Sequence, residues 1–171
     1  MAFSNEILIR PMAEADIDKA LLNFEEQGWN KGRRILERYL SGQTAGKLFA
    51  FAAQLGSDIA GYTVLYRNGM EGSFANQNMP CISDLIVFSK YQRRGIAWKI
   101  MEAAEEKAAE FGDIVYLGVG LHSGYGAAQR LYVKRGYLPD GTGVWFNGSR
   151  LEEYADCKND DSLILYFSKE L

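Results

Sequence analysis

The sequence predicts an α/β fold, a mixed sheet flanked by helices. Three observations carry this. Two apolar runs, residues 47–55 and 59–66, flank Gly56-Ser57-Asp58. That is a hairpin signature, and it makes the two strands antiparallel. A further run, residues 81–88, feeds a glycine-bearing turn, then helical spacing over 96–111, then a buried apolar run over 114–119. A strand–helix–strand unit of this kind is a right-handed parallel crossover. The sheet therefore holds both strand directions.

The remaining elements follow in order. Ile7-Leu8-Ile9-Arg10 is a short apolar strand, and Pro11 suits its exit. Ala13, Ile17, Ala20, Leu21 and Phe24 recur at helical spacing over 13–27, with Gly28 as the stop. Residues 31–40 repeat the pattern with Ile35, Leu36, Tyr39 and Leu40, and Gly42 and Gly46 bracket the following loop. Residues 67–79 are polar and read as loop, and Pro80 precedes the central strand. The helix over 96–111 turns Ile100, Met101, Ala104, Ala108 and Phe111 to one face and Glu102, Glu106 and Glu110 to the other, and Gly112 closes it. A shorter helix over 125–135 faces Ala128, Leu131 and Tyr132 inward and stops at Gly136. Tyr137-Leu138 and Val144-Trp145-Phe146 are short strand pieces, 151–161 is an acidic loop, and 163–167 is the last strand. The order is β-α-α-β-β-β-α-β-α-β-β. No repeat, linker or low-complexity stretch interrupts it, so residues 1–171 read as a single domain.

Composition narrows the function classes. At 171 residues the chain can bury one sizeable core. Net charge is −3 with no basic tract, which argues against general nucleic-acid binding. Cys81 and Cys157 have neither metal-ligand spacing nor the numbers for a disulfide framework. No basic segment leads into a long apolar core at the start, and no run is long enough to cross a bilayer. The expectation is a cytoplasmic protein with no nucleic-acid partner, no membrane partner and no metal.

Chemistry concentrates in Gln92-Arg93-Arg94-Gly95-Ile96-Ala97, between the central strand and its helix. The first N–H groups of a helix lack internal partners, and the helix dipole adds partial positive charge there. Gly95 lets a ligand approach the backbone, and Arg93 and Arg94 suit phosphate oxygens. A phosphate or pyrophosphate held on backbone amides is the implied ligand. The glycine spacing matches neither the P-loop nor the dinucleotide fingerprint.

The spacing Gln-x-x-Gly-x-Ala resembles motif A of the GCN5-related N-acetyltransferase (GNAT) family, which grips the pyrophosphate of acetyl-CoA. The resemblance extends along nearly the whole chain. Ile9-Arg10 with Asp16 looks like the family's opening strand and first helix, Ile59-Ala60-Gly61-Tyr62 like its I-x-G-Y strand, and Asp84-Leu85-Ile86-Val87 like the lead into motif A. Ala127-Ala128-Gln129-Arg130-Leu131-Tyr132, running on to Gly136-Tyr137, looks like motif B. Where motif B often has Asn before the Ala pair, this chain has Tyr125.

The resemblance implies a GNAT-like fold with splayed parallel fourth and fifth strands. It also implies transfer of acetyl from acetyl-CoA to a primary amine of a small molecule, peptide or protein, by direct attack in a ternary complex. The alternative is a non-catalytic acyl-CoA-binding or regulatory module with the same fold. Leu85, Ile86 and Val87 would offer backbone groups to the pantetheine arm, as one strand does to another. Gln92, Arg93, Arg94, Gly95, Ile96 and Ala97 would hold the pyrophosphate, with Tyr125 and Ala128 adding contacts to the cofactor. The family often dimerises, so a homodimer is open.

Tyr132 alone reads as a core tyrosine on an inward helix face. Motif B makes it the candidate general acid toward the departing thiolate. Two groups are candidates for the base. Asp84 stands in the central strand, and a carboxylate there could accept a proton directly or through water, or act as a structural hydrogen-bonding partner. His122 is the single histidine, in a loop after the fifth strand, and imidazole titrates near neutrality. Solvent could also carry the proton away. Trp145 and Phe146 are candidate walls for the acceptor, and acidic residues of 151–161, Asp161 among them, could attract a cationic amine.

Overall fold

A computed structural model describes residues 6–171. In chain order the elements are β1 (Ile7–Pro11), α1 (Ala15–Glu26), α2 (Arg33–Thr44), β2 (Leu48–Leu55), β3 (Asp58–Tyr66), β4 (Cys81–Val87), α3 (Ile96–Ala108), β5 (Ile114–Gly120), α4 (Gly126–Lys134), β6 (Leu138–Phe146), β7 (Ser149–Arg150) and β8 (Leu163–Glu170). The strands run in the order β1-β2-β3-β4-β5-β8-β6-β7. β1–β2 and β2–β3 are antiparallel, β4–β5 is parallel, and β8 is antiparallel to both β5 and β6. The mixed α/β sheet is the one expected. No helix among the described residues is long and apolar enough to cross a membrane.

The chain divides into two compact units: residues up to Arg67 with Ile82–Lys107, and Asn68–Cys81 with Ala108–Leu171. In the first unit, alternation along the strands makes two buried faces. One face packs Ala50, Ala52, Ile59 and Tyr62 against Ile17, Phe24 and Leu36 of α1 and α2. The other packs Ala53 and Ala60 against Ile96 and Ile100 of α3, with Leu85 and Val87 of β4. Arg10 of β1 ties the entry of α1 in place. Its guanidinium donates to both oxygens of buried Asp16, each at 2.7 Å, and the Ala13 N–H donates to Oδ2 at 2.8 Å. Burial disfavours the Asp16 carboxylate, but the Arg10 fork and the Ala13 N–H outweigh it and hold its pKa below the ordinary value.

In the second unit, β5 pairs with β8 from Ile114↔Glu170 to Gly120↔Ile164. Cys81 pairs with Tyr116 in the parallel sense, and the Tyr116 N–H donates to the Pro80 carbonyl at 3.1 Å. Burial pushes the Cys81 thiol up to about 12, so it stays a neutral core group. The Tyr116 ring is tilted against those of Phe74 and Tyr166, with centroids 5.0 and 6.3 Å away, and Trp145 meets Tyr166 edge-on at 5.6 Å.

Three expectations are corrected, and one element is added. α2 continues past residue 40 to Thr44, so Gly42 lies inside the helix. It serves packing there, since a Cβ on Gly42 would sit 2.7 Å from Leu48 Cδ2 of β2. α3 ends at Ala108, short of Phe111, and the chain leaves through a turn in which the Phe111 N–H donates to the Ala108 carbonyl. The two late strand pieces are one strand, β6, with a shift of register between Pro139 and Val144. Asp140 caps that bulge by accepting from the Thr142 N–H at 2.9 Å. β7, a two-residue strand against the end of β6, was not expected.

Candidate active site

In the first unit, β4 breaks its own regularity at Asp84, whose φ is +54°. A non-glycine residue in the left-handed region is strained by about 1–3 kcal/mol, and such residues collect at functional sites. Aspartate tolerates the region better than most. The side chain lies on the α1/α2 side. Its Oδ2 accepts from the Lys31 ammonium, from the Tyr39 hydroxyl at 2.8 Å and from the Tyr62 hydroxyl at 3.0 Å. The Lys31 ammonium also stands over the rings of Tyr62 and Phe24, 5.5 and 5.8 Å from their centroids. Burial, then the Asp84 charge, push both phenols well above their ordinary pKa, so they remain donors.

After Phe88 comes a 3-10 turn, Ser89–Tyr91, and then the motif A turn. Arg93 and Gly95 both take left-handed φ, +62° and +77°. This pair of left-handed residues swings the chain from the strand into α3. The first intrahelical bond runs from the Lys99 N–H to the Gly95 carbonyl at 3.2 Å, so the amides of the first turn point out of the helix end. Gln92, Arg93, Arg94 and Gly95 are all exposed, Ile96 is buried as the anchor, and Ala97 is half-buried. The Gln92 side chain donates back to the Val87 carbonyl at 3.1 Å, bracing the turn on the end of β4. The Arg94 guanidinium lies 5.8 Å from the centre of the Tyr91 ring. A Cβ placed on Gly95 would meet nothing within 4 Å, so its face is open. Open backbone, helix-end amides and two exposed arginines fit a pyrophosphate. Leu85, Ile86 and Val87, half-buried, stand between this turn and Asp84 in one strand.

In the second unit, His122 precedes the 3-10 turn Ser123–Tyr125 that opens α4. Its Nδ1 accepts from the Gly124 N–H at 3.1 Å, and its Nε2 lies 2.9 Å from Asp161 Oδ1. An accepting Nδ1 makes the neutral ring an Nε2–H donor to Asp161. The Tyr125 hydroxyl donates to the same oxygen at 3.0 Å. The His122 bond first, then the Tyr125 bond, lower the Asp161 pKa. His122, expected as a candidate base, thus has its lone pair engaged in capping. The Tyr125 hydroxyl, expected to meet the cofactor, is directed to Asp161. Tyr132 is buried on α4, 5.9 Å by ring centroid from Tyr137, and Ala128 is half-buried on the same helix. The Trp145 indole donates to Thr142 Oγ1 at 2.8 Å.

The structure therefore groups Asp84 with three partners that the sequence reading did not assign to it, Lys31, Tyr39 and Tyr62. In the sequence Tyr39 belongs to the apolar pattern of residues 31–40, Tyr62 to the I-x-G-Y strand, and Lys31 to the start of a helix that the structure begins at Arg33. No sequence signal marks a lysine 53 positions from its aspartate as its partner. Among the described residues no group of three His, Cys, Asp or Glu side chains is placed to hold a metal.

Residues 15–137 match the profile of the Acetyltransferase (GNAT) family. No curated protein matches the chain. Among solved structures, an N-acetyltransferase of Staphylococcus aureus superposes with a TM-score of 0.71 at 14% identity, covering 96% of this chain and 98% of its own. A ribosomal-protein-alanine N-acetyltransferase of Brucella melitensis gives 0.69 at 18%, covering 96% and 99%. A Salmonella typhimurium protein described as an acetyltransferase, solved with its cofactor acetyl-CoA, gives 0.67 at 15%, covering 97% and 94%. At these identities the likeness is one of fold. With the family profile spanning well over half its length, the chain belongs to the GNAT acetyltransferase family.

Proposed function

We propose that this protein is an acetyl-CoA-dependent N-acetyltransferase that acts on a primary amine by direct attack in a ternary complex. The observation that carries it is the turn from Arg93 to Gly95, two left-handed residues that aim the first amides of α3 and two exposed arginines outward. The thioester supplies an activated acyl group. The chain must then bind and orient it, and proximity supplies much of the rate. In this reading the pyrophosphate lies on Gln92 to Ala97. The pantetheine amides pair with the backbone of Leu85, Ile86 and Val87, and Tyr125 and Ala128 add contacts. Tyr132 donates a proton to the departing thiolate. Asp84, His122 or solvent takes the proton from the acceptor, and His122 is the weaker of the two side chains because its lone pair already caps a turn. Residues 1–171 act as one catalytic domain in the cytoplasm.

Two measurements test this. Calorimetry should show CoA and acetyl-CoA binding. A panel of amines, followed by release of CoA thiol, should show turnover with at least one. Binding without turnover on any amine would favour the non-catalytic acyl-CoA module. Absence of binding would overturn both.

A further inference from the structure

An ammonium group is already held beside β4, and it belongs to the chain itself. Lys31 lies in the short connection between α1 and α2, bounded by Gly28, with φ +74°, and Gly32. From there its Nζ reaches Asp84 Oδ2. The surroundings are those of an ammonium receptor. They comprise one carboxylate, two aromatic faces within the range where a cation is attracted to a ring, and two phenols that orient the carboxylate. Tyr39 and Tyr62 both donate to the oxygen that receives the ammonium. They fix that oxygen in place and occupy its remaining acceptor sites. The cage is partly open, since the Lys31 and Asp84 side chains are 18% and 19% exposed. Asp84 is followed directly by Leu85, Ile86 and Val87, the strand segment assigned above to the pantetheine arm.

We infer that Asp84, Tyr39, Tyr62 and Phe24 form the receptor for the acceptor's ammonium, and that Lys31 is a tethered occupant that the acceptor must displace. The cage is seen holding a primary ammonium on an unbranched alkyl stem. The acceptor class it fits is therefore the same: a lysine side chain or a linear alkylamine, rather than the branched α-amine of a peptide N-terminus. The inference rests on the acetyltransferase reading for the word acceptor, but the receptor itself stands on the geometry of the cage.

A competitor held within the site lowers apparent affinity by the fraction of time the site is open. Lys31→Met keeps an unbranched stem and removes the charge. It should tighten binding of Nα-acetyl-lysine amide by about tenfold or more, read by calorimetry without acetyl-CoA. Adding Asp84→Asn to Lys31→Met should abolish the gain. In the coupled assay, Lys31→Met should lower KM for Nα-acetyl-lysine amide more than it changes kcat, and alanine amide should remain the poorer acceptor. Should Lys31→Met fail to fold by its melting curve, Lys31→Ala, which likewise withdraws the donor from Asp84 Oδ2, carries the same comparison. Unchanged or weaker binding in the folded variant overturns the inference, as does a preference for alanine amide. Because the calorimetric arm uses no acetyl-CoA, it can fail while turnover survives, or succeed while turnover is absent. The two failures are therefore distinct.

Discussion

Gly61 and Ile86 approach so closely that a Cβ on Gly61 would lie 2.4 Å from the Ile86 carbonyl oxygen and 3.1 Å from Val87 Cα. The missing side chain is what lets β3 and this stretch of β4 lie against each other. The contact is backbone to backbone, so no rotamer change relieves it. Gly61→Ala should destabilise the fold by about 1–3 kcal/mol, the usual cost of overpacking. It should also weaken CoA binding, because the strain falls on Ile86 and Val87, the proposed pantetheine edge. A melting temperature and a CoA affinity both unchanged would show that β4 yields at no cost.

Asp16 offers a test with a defined pH dependence. Its carboxylate is buried and takes both arms of Arg10. Asp16→Asn leaves that guanidinium without its counter-charge and should cost about 3 kcal/mol near neutral pH. The folded-state pKa is depressed, so the stabilisation is whole above the ordinary carboxylate pKa. It drains away as pH falls through the lower folded value. Thermal melts of wild type and variant should therefore differ most near neutrality and converge in acid. A constant gap across pH would refute the ionic account.

What the sequence carried and what it did not divide along physical lines. The hairpin, the parallel crossover and the motif A turn were legible because each is local: a turn tripeptide, a period of 3.6, a glycine between strand and helix. Gly42 misled because a glycine that ends a helix and one that admits a neighbouring strand look alike in sequence. β6 looked like two pieces because its bulge, with Gly141 and Gly143 at φ +81°, interrupts the apolar alternation. Asp84 was singled out by position, but its partners come from α2, β3 and a loop. Contacts of that separation leave no spacing to read. His122 was chosen for its residue type, and only the Gly124 N–H on its Nδ1 shows the capping use.

The motif A turn gives a direct binding test. Gly95 needs a left-handed backbone that a β-branched residue takes only at a marked cost. Gly95→Val should distort the turn, cover the open amide face and weaken CoA binding severely, while the buried anchor Ile96 keeps α3 in place. Calorimetry with CoA checks this. Unchanged affinity would remove the pyrophosphate assignment.

His122 and Asp161 make a sharper case against a catalytic base than for one. The neutral ring should be the Nε2–H tautomer, which nitrogen-15 chemical shifts of the imidazole report. His122→Ala should lower kcat by well under the ~10²-fold that loss of a general base costs. A full loss of that size, with the fold intact, would restore His122 as the base.

Tyr132 is buried on α4 with its ring near Tyr137. Burial alone is what a core tyrosine would show, so the role must be separated from the packing. Tyr132→Phe does this, because it keeps the ring and removes only the hydroxyl. If the phenol protonates the departing thiolate, kcat should fall by about 10²–10⁴-fold, the usual worth of a general acid. Acetyl-CoA affinity should change little, because the interaction strengthens only as charge grows on sulfur. A loss near tenfold would point instead to a hydroxyl that merely positions the thioester. Steady-state kinetics on a confirmed acceptor, paired with a melting curve, distinguish the cases. A variant that folds normally and turns over at the wild-type rate would make Tyr132 a core residue, and the proton would have to come from another group.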